Sequence, residues 1–340
     1  MADKKLKVAV FGTGYWASLQ IPSWQAAGAE ITAVWNRTFE KAMHTAQAYG
    51  IPCVYRTPEE IFENADFDIA DIITEVEGHY PLVMMAAAHK KAVITQKPMA
   101  RSYGECVRMC QACEIAGVWF AVHENFRYRQ SLTRVKNILD EGTLGKIHWA
   151  HIRMRSLGRK RFEESPNLLK YDSAALEDMG PHIFNVAQYF FGEAKTVYCL
   201  QAGTIPDLRV RDAAFATVAM RSGVIALCEI SIGQPPNIFI YGEKGSLTLD
   251  SENALTVSLE GAAEHLPAPA LLKPNYIPQK SWDYHGGEGM LSIKTCLDGL
   301  SRAYVSGKEA DTSGRQYLKT MELVFQAIDS SKRNQVMDLH

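Results

Sequence analysis

Apolar residues in the first third of the chain fall in short unbroken runs. Residues 6–11, 30–35, 69–73, 92–94 and 118–122 are rich in Val, Ile and Ala, and each ends at a polar or glycine-marked turn. Runs of that length bounded by turn signals match strands buried on both faces of a parallel sheet. Helix signals lie between them. Thr57-Pro58-Glu59-Glu60 is a capping box with proline at the first helical position. Ser102-Tyr103-Gly104-Glu105 caps another helix, and 81–89 reads as a third. Pro22 is expected to kink or end the first helix, and Gly28 to close it. The alternation predicts a doubly wound parallel sheet over 1–124.

Beyond residue 124 the period changes. Residues 131–141 read as a helix closed by Gly142, and 147–155 as a long alternating strand. From Ala213 onward apolar and polar positions alternate. Residues 215–220 and 224–231 form a hairpin through Ser222-Gly223, and 239–241 and 246–249 continue the sheet. This half reads as a largely antiparallel sheet with helices on one face. Residues 262–280, rich in proline and alanine, read as loop. Two closing helices start near Glu288 and Gln316. The division expected is therefore 1–124 and 125–340.

Length and composition narrow the class. A chain of 340 residues is long for one core, and 47% hydrophobic with 22% charged residues is ordinary for a globular protein. A formal net charge of −2 gives no electrostatic case for nucleic acid or an anionic membrane. The basic run Arg153, Arg155, Arg159, Lys160, Arg161 reads as a solvated edge or loop. No apolar run approaches the roughly 18 residues of a membrane helix. The first strand follows Met-Ala-Asp-Lys-Lys-Leu-Lys directly, with no apolar signal region. Seven cysteines, an odd number scattered along the chain, do not form a disulfide framework, and a reduced cytoplasm is expected. Cys106, Cys110 and Cys113 share one helix face, where they read as small apolar side chains and not as metal ligands.

Candidate chemistry concentrates at strand ends. Gly12-Thr13-Gly14-Tyr15-Trp16-Ala17 follows the first strand and matches G-x-G-x-x-G/A. There the first glycine makes the tight turn, the second admits a pyrophosphate, and the small third residue packs helix on strand. Asn36-Arg37-Thr38 stands where an acid usually grips the adenosine ribose. Asn36 does not repel a 2′-phosphate and Arg37 can pair with one, which favours NADP; Asn36 can still bond a ribose, so NAD stays open. Thr74 and His79 follow the fourth strand. Gln96, Lys97 and Pro98 end the fifth, at the edge where α/β sheets bind ligands, and proline aims the lysine.

Three further segments complete the candidates. The stretch 123–129, with Asn125 and Arg127, is either a cleft-crossing substrate contact or a solvated linker. Trp282-Asp283-Tyr284-His285-Gly286-Gly287 either lines a pocket, making Tyr284 and His285 substrate contacts, or is a turn. In Asp178-Met179-Gly180-Pro181-His182, Pro181 opens a helix and puts His182 in its first turn. There the helix dipole disfavours the imidazolium, and Asp178 can orient the ring as in an acid–base dyad. The plainer alternative is a capping aspartate with an unrelated histidine.

Taken together, the glycine loop at 12–17, Gln96-Lys97-Pro98 and Asp178-Met179-Gly180-Pro181-His182 resemble, in order, the glycine, Glu-Lys-Pro and Asp-x-Gly-x-His motifs of the glucose–fructose oxidoreductase and inositol dehydrogenase (Gfo/Idh/MocA) family. Three positions depart from it: Gln96 replaces the usual glutamate, Glu75 a frequent proline, and Asn36 the usual aspartate. The resemblance implies a Rossmann domain plus a C-terminal α/β domain whose large, mostly antiparallel open sheet often forms dimers or tetramers. It implies an NAD(P)-dependent dehydrogenase of a small sugar or polyol, with Lys97, Asp178 and His182 as the catalytic group. Asn36-Arg37-Thr38, Gln96-Lys97-Pro98-Met99 and His123-Glu124-Asn125 together look most like the D-apiose dehydrogenase-type branch, which is NAD-linked and implies oxidation of an aldose at the anomeric carbon to a lactone. Rival readings are a dinucleotide-binding regulator without chemistry and an NADPH-dependent oxo-sugar reductase.

Overall fold

A computed structural model describes residues 5–156, 158–164, 166–232, 236–279, 281 and 287–340. The expectations for Tyr284 and His285 lie outside these residues. The chain forms two compact units, one from the segment up to Arg129 together with Leu271–Leu318, the other from Gln130–Ala270 and Lys319–His340.

The first unit is built on six parallel strands: β1 (Lys7–Phe11), β2 (Glu30–Trp35), β3 (Cys53–Tyr55), β4 (Ile69–Ile72), β5 (Ala92–Gln96) and β6 (Phe120–His123). Their order is β3-β2-β1-β4-β5-β6, the doubly wound arrangement whose direction reverses between β1 and β4. Every residue of β4, β5 and β6 is buried, as a sheet covered on both faces requires.

Helix starts follow the local chemistry. Thr57 accepts the Glu60 N–H at 3.2 Å while the Glu60 carboxylate accepts the Thr57 N–H at 3.3 Å, so helix Pro58–Asn64 begins on the predicted box. Helix Tyr103–Ala116 is capped by Ser102 and closed by Gly117. Cys106, Cys110 and Cys113 are buried along it, and burial pushes the Cys110 and Cys113 thiols up to about 12. Pro22 does not end its helix: Ala17–Ala26 runs through it. Proline cannot donate to the Ser18 carbonyl one turn back, and the Tyr49 hydroxyl donates to that oxygen instead, at 3.4 Å.

The boundary expected at 124/125 moves because residues 271–318 return to the first unit. Helix Gly287–Val305 inserts Met290, Ile293, Cys296, Leu297 and Leu300 into the core that holds Val8, Ile21 and Trp24. The Thr312 hydroxyl then donates to the Val122 carbonyl at 2.7 Å, covering β6.

The second unit carries β7 (Ile147–Arg155), β8 (Ala194–Ala202), β9 (Ala213–Met220), β10 (Ile225–Ser231), β11 (Asn237–Gly242), β12 (Gly245–Leu249), β13 (Leu255–Leu259), β14 (Ala262–Leu266) and β15 (Met337–Asp338). They form one sheet in the order β14-β13-β12-β11-β7-β10-β9-β8-β15, antiparallel except where β7 runs parallel to β10. Two expectations change here. Residues 262–266 are a strand paired with β13, not loop. The basic run does not begin on an edge, because β7 is the central strand and Arg153 Nε donates to Glu229 Oε2 at 3.0 Å. One face of the sheet, with Ala150, Ile152, Cys228 and Ile230, is buried, and helix Gly180–Phe191 packs on β7 and β10. The other face leaves Trp149, Phe215, Leu227 and Tyr241 exposed.

Candidate active site

In the first unit the glycine loop is shaped by what it cannot hold. Gly12 has φ +110°, and a Cβ there would meet the Ile73 carbonyl oxygen at 2.8 Å and the Thr74 nitrogen at 2.9 Å. That position requires glycine on both counts. A Cβ on Gly14 would meet nothing within 4 Å, so the space above its backbone is open. The Thr13 N–H donates to Asn36 Oδ1 at 3.2 Å, and Asn36 Nδ2 donates to the Thr38 carbonyl at 3.0 Å. Asn36 thereby ties the loop to the end of β2, while Arg37 beside it is exposed. Helix Ala17–Ala26 starts without a side-chain cap and without an acid in its first turn, leaving its positive end to an anion. Tyr15 is half-exposed, its hydroxyl bonding Ser281 Oγ at 3.3 Å, and its ring meets Trp16 edge-on.

Thr74 and His79 line the end of β4. The Thr13 and Thr74 hydroxyl oxygens are buried without a hydrogen-bond partner among the described residues. Unsatisfied hydroxyls beside an open glycine turn and an uncapped helix start fit a pyrophosphate and its ribose. A Cβ on Gly78 would approach Thr74 Oγ1 to 2.5 Å, so that glycine keeps the loop closed. His79 is buried. Its Nδ1 lies 3.0 Å from the Pro98 carbonyl and its Nε2 3.1 Å from the Thr74 carbonyl, so the ring brackets the turns after β4 and β5. Burial pushes its pKa down, against those two carbonyls.

At the end of β5, Lys97 is half-buried, Pro98 follows through a cis peptide bond, and Met99 is buried. The Lys97 N–H donates to Gln96 Oε1 at 3.3 Å. Gln96 Nε2 donates to Gln20 Oε1 at 2.6 Å and to His123 Nδ1 at 3.1 Å. Gln20 Nε2 in turn donates to both Asp71 oxygens, at 2.8 and 2.9 Å, and Trp24 Nε1 donates to Asp71 Oδ2 at 2.7 Å. Burial pushes the Asp71 carboxyl up to about 7, with the Trp24 and Gln20 hydrogen bonds pulling the other way.

Asn125 and Arg127 are engaged within the same unit. Asn125 is buried, its Nδ2 donating to Ser292 Oγ at 2.8 Å, and Arg127 Nη1 donates to the Asp311 carbonyl at 3.2 Å. Both tie the chain after β6 to the returning segment.

In the second unit Asp178 ends the short helix Ala174–Asp178, and helix Gly180–Phe191 follows with Pro181 in its first turn. His182 stands in that turn, as the sequence predicts, and is 4% exposed. One turn on, Asn185 Nδ2 donates to Thr320 Oγ1 at 3.1 Å. Among the described residues no three His, Cys, Asp or Glu side chains gather as a metal site, and no helix is long and apolar enough to cross a membrane.

Gln20, Trp24, Asp71 and Gly78 escape the sequence reading. Only Asp71 leaves a signal, as one acid inside the apolar run Ile69-Ala70-Asp71-Ile72-Ile73.

A doubly wound sheet with a bare glycine turn and a lysine at the end of β5 defines a dinucleotide-dependent oxidoreductase. Residues 6–124 match the oxidoreductase family with an NAD-binding Rossmann fold, and 132–248 match the GFO/IDH/MocA C-terminal domain. D-apiose dehydrogenase of Rhizobium rhizogenes is 30% identical over 98% of both chains. D-apiose dehydrogenase of Paraburkholderia graminis is 28% identical over 99% of this chain and 90% of that one. The crystal structure of an oxidoreductase from Agrobacterium radiobacter in complex with NAD+, L-tartaric acid and magnesium superposes with a TM-score of 0.92 at 28% identity, covering 98% of each chain. Aldose–aldose oxidoreductase from Caulobacter crescentus shares the fold, with a TM-score of 0.82 at 23% identity over 99% of this chain and all of that one. The chain belongs to the Gfo/Idh/MocA family and is an NAD(P)-dependent oxidoreductase acting on CH–OH groups.

Proposed function

We propose that the protein oxidises a free aldose of the D-apiose kind at its anomeric carbon, giving a lactone, with NAD+ as the acceptor. The observation that carries this reading is near full-length similarity to two D-apiose dehydrogenases. Lys97, Asp178 and His182 are the proposed catalytic group. His182 takes the proton of the reacting hydroxyl. Lys97 donates a hydrogen bond to that oxygen and stabilises the negative charge developing on it. Asp178 orients His182 and balances its charge once protonated. NAD(P), when bound, supplies the hydride acceptor. Gly12, Thr13, Gly14, Tyr15, Trp16, Asn36 and Thr74 would hold it, with His79 and Gln96 fixing the turns beneath. Asn125 and Arg127, and Tyr284 and His285 outside the described residues, are the proposed substrate contacts.

A second reading rests on Arg37. An exposed guanidinium beside an uncharged Asn36 suits a 2′-phosphate, and an NADPH-dependent reduction of an oxo-sugar would run the same group in reverse. The deciding experiment is reduction of NAD+ and NADP+ by the purified protein across free sugars and inositols, D-apiose included. Turnover of D-apiose with NAD+ supports the first reading. NADP(H) turnover alone supports the second, and tight cofactor binding with silence across the panel points to a regulator.

We propose further that the exposed sheet face of the second unit joins copies of the chain into a homodimer or homotetramer. It carries Trp149, Phe215, Leu227 and Tyr241, too many large apolar side chains for a face left to water. All seven cysteines are free thiols, which suits a reducing cytoplasm.

A further inference from the structure

The buried chain of polar groups behind Lys97 has a direction, and its two ends set it. At one end a backbone N–H, that of Lys97, can only donate. At the other the Asp71 carboxylate faces Gln20 Nε2 and the Trp24 indole, which can only donate to it. Between them lie two amides, each of which can turn over. Because Asp71 accepts, Gln20 presents its nitrogen to Asp71 and its oxygen to Gln96. Gln96 must then present its nitrogen to Gln20 and its oxygen to the Lys97 N–H. Asp71, Gln20, Trp24 and Gln96 are 0–6% exposed, so no water corrects a reversed amide.

We propose that Asp71 is a positioning residue for Lys97, acting through Gln20 and Gln96, and that it is the reason glutamine stands at 96 where this motif usually holds glutamate. A glutamate at 96 would accept from Lys97 but would face Gln20 Oε1, acceptor against acceptor. Gln20 could turn to donate to it only by aiming its own oxygen at Asp71. Moving the negative charge from 71 to 96 resolves both clashes. The amide that Asp71→Asn introduces donates to Gln20 Oε1 and accepts from Trp24. The carboxylate that Gln96→Glu introduces accepts from Gln20 Nε2 and the Lys97 N–H. His123 Nδ1, facing position 96 at 3.1 Å, donates in the other tautomer, at the loss of the long hydrogen bond, 3.4 Å, from its Nε2 to the Ile293 carbonyl.

The test is a double-mutant cycle of Asp71→Asn, Gln96→Glu and the double variant, read above about pH 8, where Asp71 is ionised, in thermal stability of the protein without substrate and in NAD+ reduction with D-apiose. Each single variant should lose stability and lower kcat at least about tenfold, with KM for NAD+ within about threefold, since Lys97 is misplaced and the glycine loop is not. The double variant should recover wild-type stability and kcat within about threefold. A double variant no more stable than the worse single, or with the product of the two single losses in kcat, overturns the proposal. Singles that fail to fold beside a double that folds uphold it. The kcat reading rests on the role proposed for Lys97. The stability reading does not, so an enzyme silent on D-apiose fails the proposed function and still decides the relay.

Discussion

At the scale of single residues, the site is defined as much by missing atoms as by present ones. Gly12 combines φ +110° with a Cβ path ending 2.8 Å from the Ile73 carbonyl. Gly12→Ala should therefore cost about 1–3 kcal/mol of stability and weaken NADH binding, measured by fluorescence titration, at least about tenfold. Wild-type affinity in that variant would mean that the turn does not carry the pyrophosphate. Asp71 makes a prediction of pH. Its folded pKa of about 7 lies above the ordinary 3.8, so the folded state holds the proton more tightly than the unfolded chain does. Its contribution to stability is best at low pH, falls as pH rises from about 4 to about 7, and then levels. Among the described residues it faces Gln20, Trp24 and, at longer range, Cys296, none of which carries a compensating positive charge. Asp71→Asn removes this titration, so, whatever the variant's absolute stability, its difference from wild type should shift in the variant's favour by a few kcal/mol, at most about 4, between about pH 4 and pH 8. Thermal melts at several pH values check this, and a difference that stays flat contradicts the raised pKa.

At the scale of elements, local chemistry proves legible wherever a backbone group finds its partner nearby. The capping box at Thr57 and Glu60, the Ser102 cap and the helix opening at Pro181 are short-range devices, and all three stand in the structure. Thr57→Ala should accordingly cost about 1 kcal/mol in urea unfolding, and no change would mean that the cap is redundant. Long-range compensation is not written locally. Nothing beside Pro22 announces that Tyr49, on another helix, donates to the freed Ser18 carbonyl and lets the helix continue. The same holds for the polar chain behind Lys97. Its members come from positions 20, 24, 71, 96 and 123, and only the fold brings them together. Strand β14 escapes the sequence for a different reason. Ala262–Leu266 is almost wholly exposed and lies at the sheet edge, so it lacks the apolar alternation that marks a strand.

At the scale of the whole chain, the switch from unbroken to alternating apolar runs marks two different sheets, and both exist as parallel and mostly antiparallel layers. What hydropathy could not carry is the return of 271–318 to the first unit, because a helix that completes a distant core looks like any amphipathic helix. The exposed sheet face leads to a further expectation. Leu227, 40% exposed in the middle of that face, becomes buried if copies pair there. Leu227→Glu should shift the mass measured by light scattering toward the monomer while the thermal midpoint at low concentration changes little, and an unchanged mass would place any interface elsewhere. The central claim is that Lys97 serves chemistry and not dinucleotide binding, and one variant tests it most directly. Lys97→Met, assayed for NAD+ reduction with D-apiose and for NADH binding in the same preparation, should lose at least about a hundredfold in kcat and keep its affinity for the dinucleotide. Turnover at the wild-type rate would contradict it.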